Sequence, residues 1–157
     1  MRPYPEEVLR SIQSGIVAHF APEVQSTYGK AQFAFSMMLF TIALRDYDSA
    51  VPDLLDANRT LRDLLVEARD ALAGIDSTDA TAARSRLDAL PPPTASLRLS
   101  DLRADHVGLR QALAALAPLL EPAADDPSLA ALREVRENVY AYLSADAKRR
   151  SVPILSA

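Results

Sequence analysis

A chain of 157 residues, 49% apolar and 24% charged, has the size and composition of one globular domain, so we expect a single domain over residues 1–157. The sequence contains no cysteine, which excludes disulfides, thiolate zinc sites and cysteine nucleophiles. A net charge of -4, with basic residues scattered among acidic ones, argues against nucleic acid as a partner.

The first predicted helix begins at Pro5, a residue that suits the first helical position, and ends near Ala21. Glu6 and Glu7 follow at the positive end of the helix dipole. Acidic residues this close to the start argue against a secretory signal, and no segment has the length of a membrane span. We therefore expect a cytoplasmic protein with no membrane partner. The apolar stripe of this helix comprises Val8, Leu9, Ile12, Ile16 and Phe20.

The most apolar part of the chain is the uncharged segment 31–44. At roughly 20 Å it is too short to cross a bilayer as a helix, so the pattern predicts a helix surrounded by protein. Its large side chains fall on two opposite faces, one with Phe33, Met37, Phe40 and Leu44 and the other with Phe35, Met38, Leu39 and Ile42. One small domain has difficulty covering both faces, so one of them is a candidate subunit interface. The candidate interface residues are Phe33, Phe35, Met37, Met38 and Phe40.

Narrow strips separate these two faces, and one of them is small and weakly polar, with Gln32 and Ser36. A neighbouring backbone can approach closely there. Both residues belong to the candidate ligand-binding set. After Arg45, the sequence Asp-Tyr-Asp-Ser at residues 46–49 predicts a turn and a new helix cap.

Two later segments carry heptad seams, in which apolar residues recur at alternating spacings of three and four. The first seam is Val51, Leu54, Asn58, Leu61, Leu65, Ala68 and Leu72; the second is Leu102, His106, Leu109, Leu113, Leu116 and Leu120. Residues 74–99 between them are predicted to be an irregular crossover with a short helix over about 79–90. The last predicted helix, over about 128–148, buries Leu129, Leu132, Val135, Val139 and Leu143.

These elements predict an all-α fold, because no segment has the alternating pattern of a strand. Short connections make antiparallel neighbours, so we expect a four-helix bundle made of two antiparallel hairpins. The N-terminal helix and the short linker helix are additions to that bundle. In this arrangement the helices that contain Asn58 and His106 are parallel.

Asn58 and His106 are the polar residues that interrupt the two seams, and they are the strongest functional clue in the sequence. They lie roughly 15 Å and 9 Å from the starts of their helices, so parallel helices place them within about one turn of each other. A buried polar layer can fix the register of a bundle. Alternatively, it can line a ligand pocket in which His106 forms a hydrogen bond or accepts a proton.

The sequence predicts neither a metal nor another cofactor. Bundle metal sites use Glu-x-x-His pairs, whereas Ile16 stands three residues before His19 and Arg103 three residues before His106. No glycine-rich phosphate loop or nucleophile elbow is present, so no catalytic residue is assigned. The tail 151–157 contains apolar residues that suit a groove on its own subunit or on a partner's.

The N-terminal half resembles small uncharacterised bacterial helical proteins that tend to be encoded near phosphotransferase-like and acyl-CoA dehydrogenase genes. The resemblance rests on Arg2-Pro3, Glu6-Glu7-Val8-Leu9-Arg10, Tyr28 and Ala31-Gln32, and it covers about the first 65 residues. It implies an accessory role in metabolism and supplies no catalytic residues.

We therefore interpret the chain as a non-enzymatic helical interaction module whose partner is a second copy, in a homodimer, or another protein. The alternative hypothesis is a small-molecule-binding or enzyme-like bundle with its pocket near His106 and Asn58. Oligomeric state and the exposure of these two side chains distinguish the hypotheses.

Overall fold

The computed structural model describes residues 3–150, which form helices and connecting turns and contain no strand. The predicted all-α class is therefore confirmed. The chain divides into two compact units, one reaching to Asp53 and the other beginning at Leu54.

The first unit contains α1 (Pro5–His19), a 3-10 helix (Ala21–Glu23) and the beginning of α2 (Thr27–Leu72). Pro5 occupies the first helical position as predicted, and the backbone N–H of Tyr4 donates to the Glu7 carboxylate at 3.1 Å. At the start of α2, the backbone N–H of Gly29 donates to Ser26 Oγ at 3.0 Å, so Ser26 caps the helix.

The predicted turn at residues 46–49 is wrong, because α2 continues as one helix from Thr27 to Leu72. The sequence at 46–49 contains neither glycine nor proline, and Asp and Ser each cost a helix less than about 1 kcal/mol relative to Ala. Pro52 removes one backbone donor, but the helix continues through this position. The first predicted hairpin is consequently absent, and the bundle of two hairpins is not confirmed.

The second unit contains the end of α2, α3 (Thr78–Asp88), α4 (Leu99–Leu120) and α5 (Arg133–Arg150). Ser77 caps α3 as its sequence position suggests, accepting from the N–H of Ala80 at 3.1 Å. Arg98 is the residue that precedes α4. Two 3-10 helices, Pro122–Ala124 and Pro127–Leu132, connect α4 to α5, so the last α-helix begins later than predicted.

The hydrophobic core lies in the second unit. All six residues of the second seam are buried, and Asn58, Leu61, Leu65, Ala68 and Leu72 of the first seam are buried as well. Alanines and a leucine of α3 cover this core from one side: Ala80, Ala83 and Leu87. Val51 and Leu54 of the first seam remain half-buried, so the packed part of that seam begins near Ala57.

Helices α4 and α5 are antiparallel, because the middle of α4 contacts the end of α5 and the end of α4 contacts the middle of α5. Arg110 pairs with Asp146 at 3.7 Å, and Tyr140 Oη donates to Glu121 at 2.8 Å. On α5 the seam continues from Val139 to Tyr142, which is buried. The predicted burial of Leu143 is wrong. The next buried residue after Val139 is Tyr142, three positions later, rather than Leu143, four positions later.

Among the described residues, no helix combines the length and the apolarity that a membrane span needs. The interpretation of the tail 151–157 lies outside the described residues.

Candidate functional site

The first unit has no hydrophobic core of its own. None of residues 3–47 and 49–53 is buried, whereas residues 57–146 contain the whole buried set of the described chain. A pair of helices without a core is marginal by itself, since most helical stability comes from packing of the apolar face. The surface of this unit is therefore the candidate interaction site.

Within the first unit, a side-chain hydrogen bond joins α1 to α2. Gln13 Nε2 donates to Thr41 Oγ1 at 2.9 Å, and the Thr41 hydroxyl donates to the Met37 carbonyl at the same distance. Thr41 borders the first apolar face of segment 31–44, and the four large residues of that face are all half-buried: Phe33, Met37, Phe40 and Leu44. This face is therefore less exposed than the opposite one.

The opposite face of the segment is more open. Phe35 is 53% exposed and Leu39 is 49% exposed, while Met38 and Ile42 between them are half-buried. We call these four residues the open face of α2. Further large apolar residues of the same unit are exposed on both helices: Val8, Ile12, Val17, Phe20, Tyr28 and Tyr47. Of the five predicted interface residues, Phe35 is exposed and the other four are half-buried.

The four predicted ligand-binding residues are divided between the two units. Gln32 and Ser36 are exposed residues of the first unit. Asn58 and His106 are buried in the second unit, at 4% and 7% exposure, and they contact each other.

Asn58 is the centre of a buried polar cluster between α2 and α4. His106 Nδ1 lies 2.8 Å from Asn58 Oδ1. Asn58 Nδ2 donates to the Leu102 carbonyl at 3.0 Å and to Asp105 Oδ2 at 3.4 Å. The predicted proximity of the two seam-breaking residues is therefore observed as a direct hydrogen bond.

These contacts assign the tautomer of His106. The Leu102 carbonyl can only accept, so it identifies the neighbouring atom of Asn58 as the amide nitrogen. The amide oxygen then faces His106, and the ring must donate through Nδ1–H. Both polar atoms of the Asn58 amide are satisfied, which removes the usual cost of burying an amide.

Arg62 and Asp105 extend this cluster, and the sequence reasoning did not assign them a role in it. Arg62 Nη2 pairs with Asp105 Oδ1 at 2.5 Å, and Arg62 Nη1 donates to the Pro91 carbonyl at 2.9 Å. The side chains are 18% and 10% exposed, respectively. Arg62 stands four residues after Asn58 and so lies on the same face of α2, but no spacing in the sequence pairs it with Asp105, which is 43 residues away.

A groove of about 220 Å³ lies between α3 and α4 in the same unit. Its walls include Leu87, Leu90 and Leu116, small residues of α4 form part of its surface, and Arg86 is its charged residue. Asn58 and His106 are not among the residues that line it. Glycine and alanine at positions 108, 112 and 115, spaced by four and three residues, were the sequence signal for an indentation on this helix face.

Asp126 and Tyr140, at the surface of the second unit, have altered acidity. The hydroxyl and backbone N–H of Ser128 both donate to Asp126, which lowers the pKa of that carboxyl. The hydrogen bond from Tyr140 to Glu121 raises the pKa of the Tyr140 hydroxyl. Both arrangements stabilise turns or helix contacts, and neither lies beside the groove residues.

Within residues 3–150, no group of three or more His, Asp or Glu side chains is placed to hold a metal ion. No protein-family model, curated protein or solved structure matches the chain. The resemblance to small bacterial helical proteins accordingly stays untested.

Proposed function

We propose that this chain is a non-enzymatic helical interaction module that forms a homodimer through its first unit. The observation that supports the proposal most directly is the absence of any buried residue among residues 3–47 and 49–53. Two helices with apolar faces and no core gain stability when a second pair of helices covers those faces. The cytoplasmic, bacterial setting expected from the sequence belongs to the same proposal.

A second copy fits the open face of α2 better than a charged partner does. In a two-fold dimer the same patch meets itself, so any charge in the patch would face a like charge. Segment 31–44 contains no charged residue, and its open face presents Phe35, Met38, Leu39 and Ile42. A neutral apolar patch of this kind avoids like-charge repulsion when it meets its own copy.

The test is the molar mass of the full chain in solution, measured by analytical ultracentrifugation at several concentrations. We expect a dimer for the natural sequence and a monomer for the double variant Phe35→Glu/Leu39→Glu, because two charges per chain would face each other across the interface. Both side chains are about half exposed, so the substitutions leave the packing within one chain largely intact.

The second unit offers a matched control. Val107 is 54% exposed and Val66 is 47% exposed, values close to those of Phe35 and Leu39. The double variant Val66→Glu/Val107→Glu adds the same charge outside the first unit, and it should remain dimeric. A natural chain that stays monomeric at micromolar and higher concentrations would contradict the proposal, as would a control variant that dissociates equally.

The small-molecule pocket near Asn58 and His106 stays a prediction. The hydrogen bonds of Asn58 to Leu102 and His106 satisfy the groups that would otherwise face a ligand. This geometry favours the register-fixing interpretation of the two residues.

A further inference from the structure

The groove between α3 and α4 has the size of a small ligand. An apolar cavity of about 150 Å³ holds one benzene molecule, whereas sites for drug-sized ligands begin at about 300 Å³. At about 220 Å³, this groove matches one ring or a short branched chain with a few additional atoms. It lies wholly in the second unit, so its role is independent of the proposed dimer.

The lining combines apolar walls with one positive charge. Leu87 and Leu116 are buried and Leu90 is half-buried, so the walls are held by the core of the unit. Among the lining residues Arg86 alone is charged, and it is exposed. A guanidinium beside an apolar groove suits a carboxylate whose apolar part enters the groove.

Gly108 keeps part of the groove empty. A Cβ atom built at this position meets no atom within 4 Å, so the space beside the helix is open there. Alanine has a higher helix propensity than glycine by about 1 kcal/mol, so glycine at this position gives up helix stability that a larger residue would supply. Ala112 and Ala115 continue the same indented surface along α4.

We propose that this groove binds a small apolar carboxylate, with the hydrocarbon part against Leu87, Leu90 and Leu116 and the carboxylate beside Arg86. The proposal specifies a reversible binding site and no chemical step. The ligand class follows from three properties of the groove: its volume, its apolar walls and its single cationic residue.

The test uses the full chain and two soluble probes of matched shape, 3-phenylpropionate and its uncharged amide. Backbone NMR spectra recorded during titration should show shifts centred on residues 83–90 and 108–116. Arg86 is exposed, so the carboxylate should bind about 2–5-fold more tightly than the amide, as expected for an exposed ion pair. In the variant Arg86→Gln this preference should disappear while the amide binds as before.

The variant Gly108→Leu fills the groove and should weaken binding of both probes about tenfold or more, since the added side chain occupies the ligand's space. Ala114→Leu is the matched control, because Ala114 is an exposed residue of α4 that does not line the groove. It should bind both probes like the natural chain.

Two results would overturn the proposal. One is the absence of localised shifts with either probe up to about 5 mM, a concentration that as a Kd corresponds to roughly 3 kcal/mol of binding free energy. The other is unchanged affinity in a folded Gly108→Leu variant. If that variant fails to fold, the variant Arg86→Gln decides. The site is rejected if Arg86→Gln loses affinity for both probes equally, or if it still prefers the carboxylate over the amide as the natural chain does.

Discussion

At the scale of single residues, the polar cluster around Asn58 explains how two polar side chains are accommodated in apolar seams. Asn58 bonds to both Leu102 and His106, and each partner comes from α4. A polar pair of this kind is satisfied in one register of the two helices only, so a shift by one turn would leave it unpaired. We therefore expect the cluster to contribute more to the specificity of the packing than to its strength.

This role predicts strong coupling between Asn58 and His106. Asn58→Leu leaves the buried Nδ1–H of His106 without its acceptor, and we expect a loss of about 1–3 kcal/mol in the free energy of unfolding. In the double variant Asn58→Leu/His106→Leu both partners are removed, so the total loss should be smaller than the sum of the single losses. Urea unfolding followed by circular dichroism measures all three variants.

Asn138 provides the control for this comparison of single and double variants. It is exposed and donates to Glu67 at 3.1 Å, so Asn138→Leu should change stability by no more than about 0.5 kcal/mol. Strict additivity of the Asn58 and His106 substitutions would reject the coupling.

Asp126 gives a prediction about pH. Its folded-state pKa lies below the ordinary value because Ser128 donates through both its hydroxyl and its N–H. A lowered folded pKa means that this contribution to stability is present above the unfolded pKa, about 3.9, and is lost as the pH falls through the folded value. In Ser128→Ala the pKa of Asp126 should rise but stay below the ordinary value, since the backbone N–H remains. Carbon-13 NMR titration of the carboxyl measures this change, and an identical titration curve would contradict it.

At the scale of helices, the start of α1 could be predicted from local chemistry, because Pro5 occupies the expected position. Ser26 before α2 and Ser77 before α3 are residue types that commonly cap helices. The turn at residues 46–49 could not be read correctly, because Asp and Ser are compatible with both a turn and an exposed helix surface. Nothing local in that segment excludes either conformation.

Arg62 connects elements that the sequence pattern left unrelated. Its guanidinium joins α2 to Asp105 on α4 and to the Pro91 carbonyl in the connection that follows α3. The two hydrogen bonds use separate nitrogen atoms of one planar group, a geometry that lysine cannot reproduce. Local pattern reasoning could not identify this link, because the three segments are 29 and 43 residues apart in sequence.

Replacing Arg62 should therefore loosen the connection between α3 and α4. Arg62→Met removes charged hydrogen bonds in a largely buried setting, and we expect a loss of about 1.5–3 kcal/mol in the free energy of unfolding. Trypsin should also cleave faster after Arg98, the exposed residue at the end of this connection. The control is Arg69→Met, because Arg69 pairs with its exposed neighbour Asp70 and such pairs contribute little. Equal cleavage rates in the two variants would reject the role of Arg62.

At the scale of the whole chain, the two units differ in how they bury apolar surface. The second unit encloses a core that includes Leu61, Leu102, Leu109 and Leu132, each almost fully buried. The first unit encloses none among its described residues. The heptad seams of the second unit could be predicted because their period is regular over four or more helical turns. The two apolar faces of segment 31–44 could also be predicted. The surface that packs against each face could not, because the pattern of apolar residues does not show whether the same chain or a second copy supplies it.

Self-association predicts that the two units respond differently to protein concentration. Dimerisation should stabilise the unit whose surface it covers, and this stabilisation increases with protein concentration by mass action. Backbone amides of segment 31–44 should exchange with deuterium more slowly at about 100 µM protein than at about 5 µM, whereas amides of residues 61–72 should exchange equally at both. Hydrogen exchange measured by mass spectrometry follows both segments in each sample, so the two segments can be compared at each concentration.

The same measurement on Phe35→Glu/Leu39→Glu identifies the surface responsible. Loss of the dimer should make exchange in segment 31–44 independent of concentration, and it should bring the rate at high concentration to that of the dilute natural chain. The core of the second unit serves as the internal reference, because its protection arises from packing within one chain. Concentration-dependent exchange that persists in this double variant would place the contact on a surface other than the open face of α2. Exchange that is equal at both concentrations in the natural chain would mean that the apolar faces of the first unit are not covered by a second copy in this concentration range.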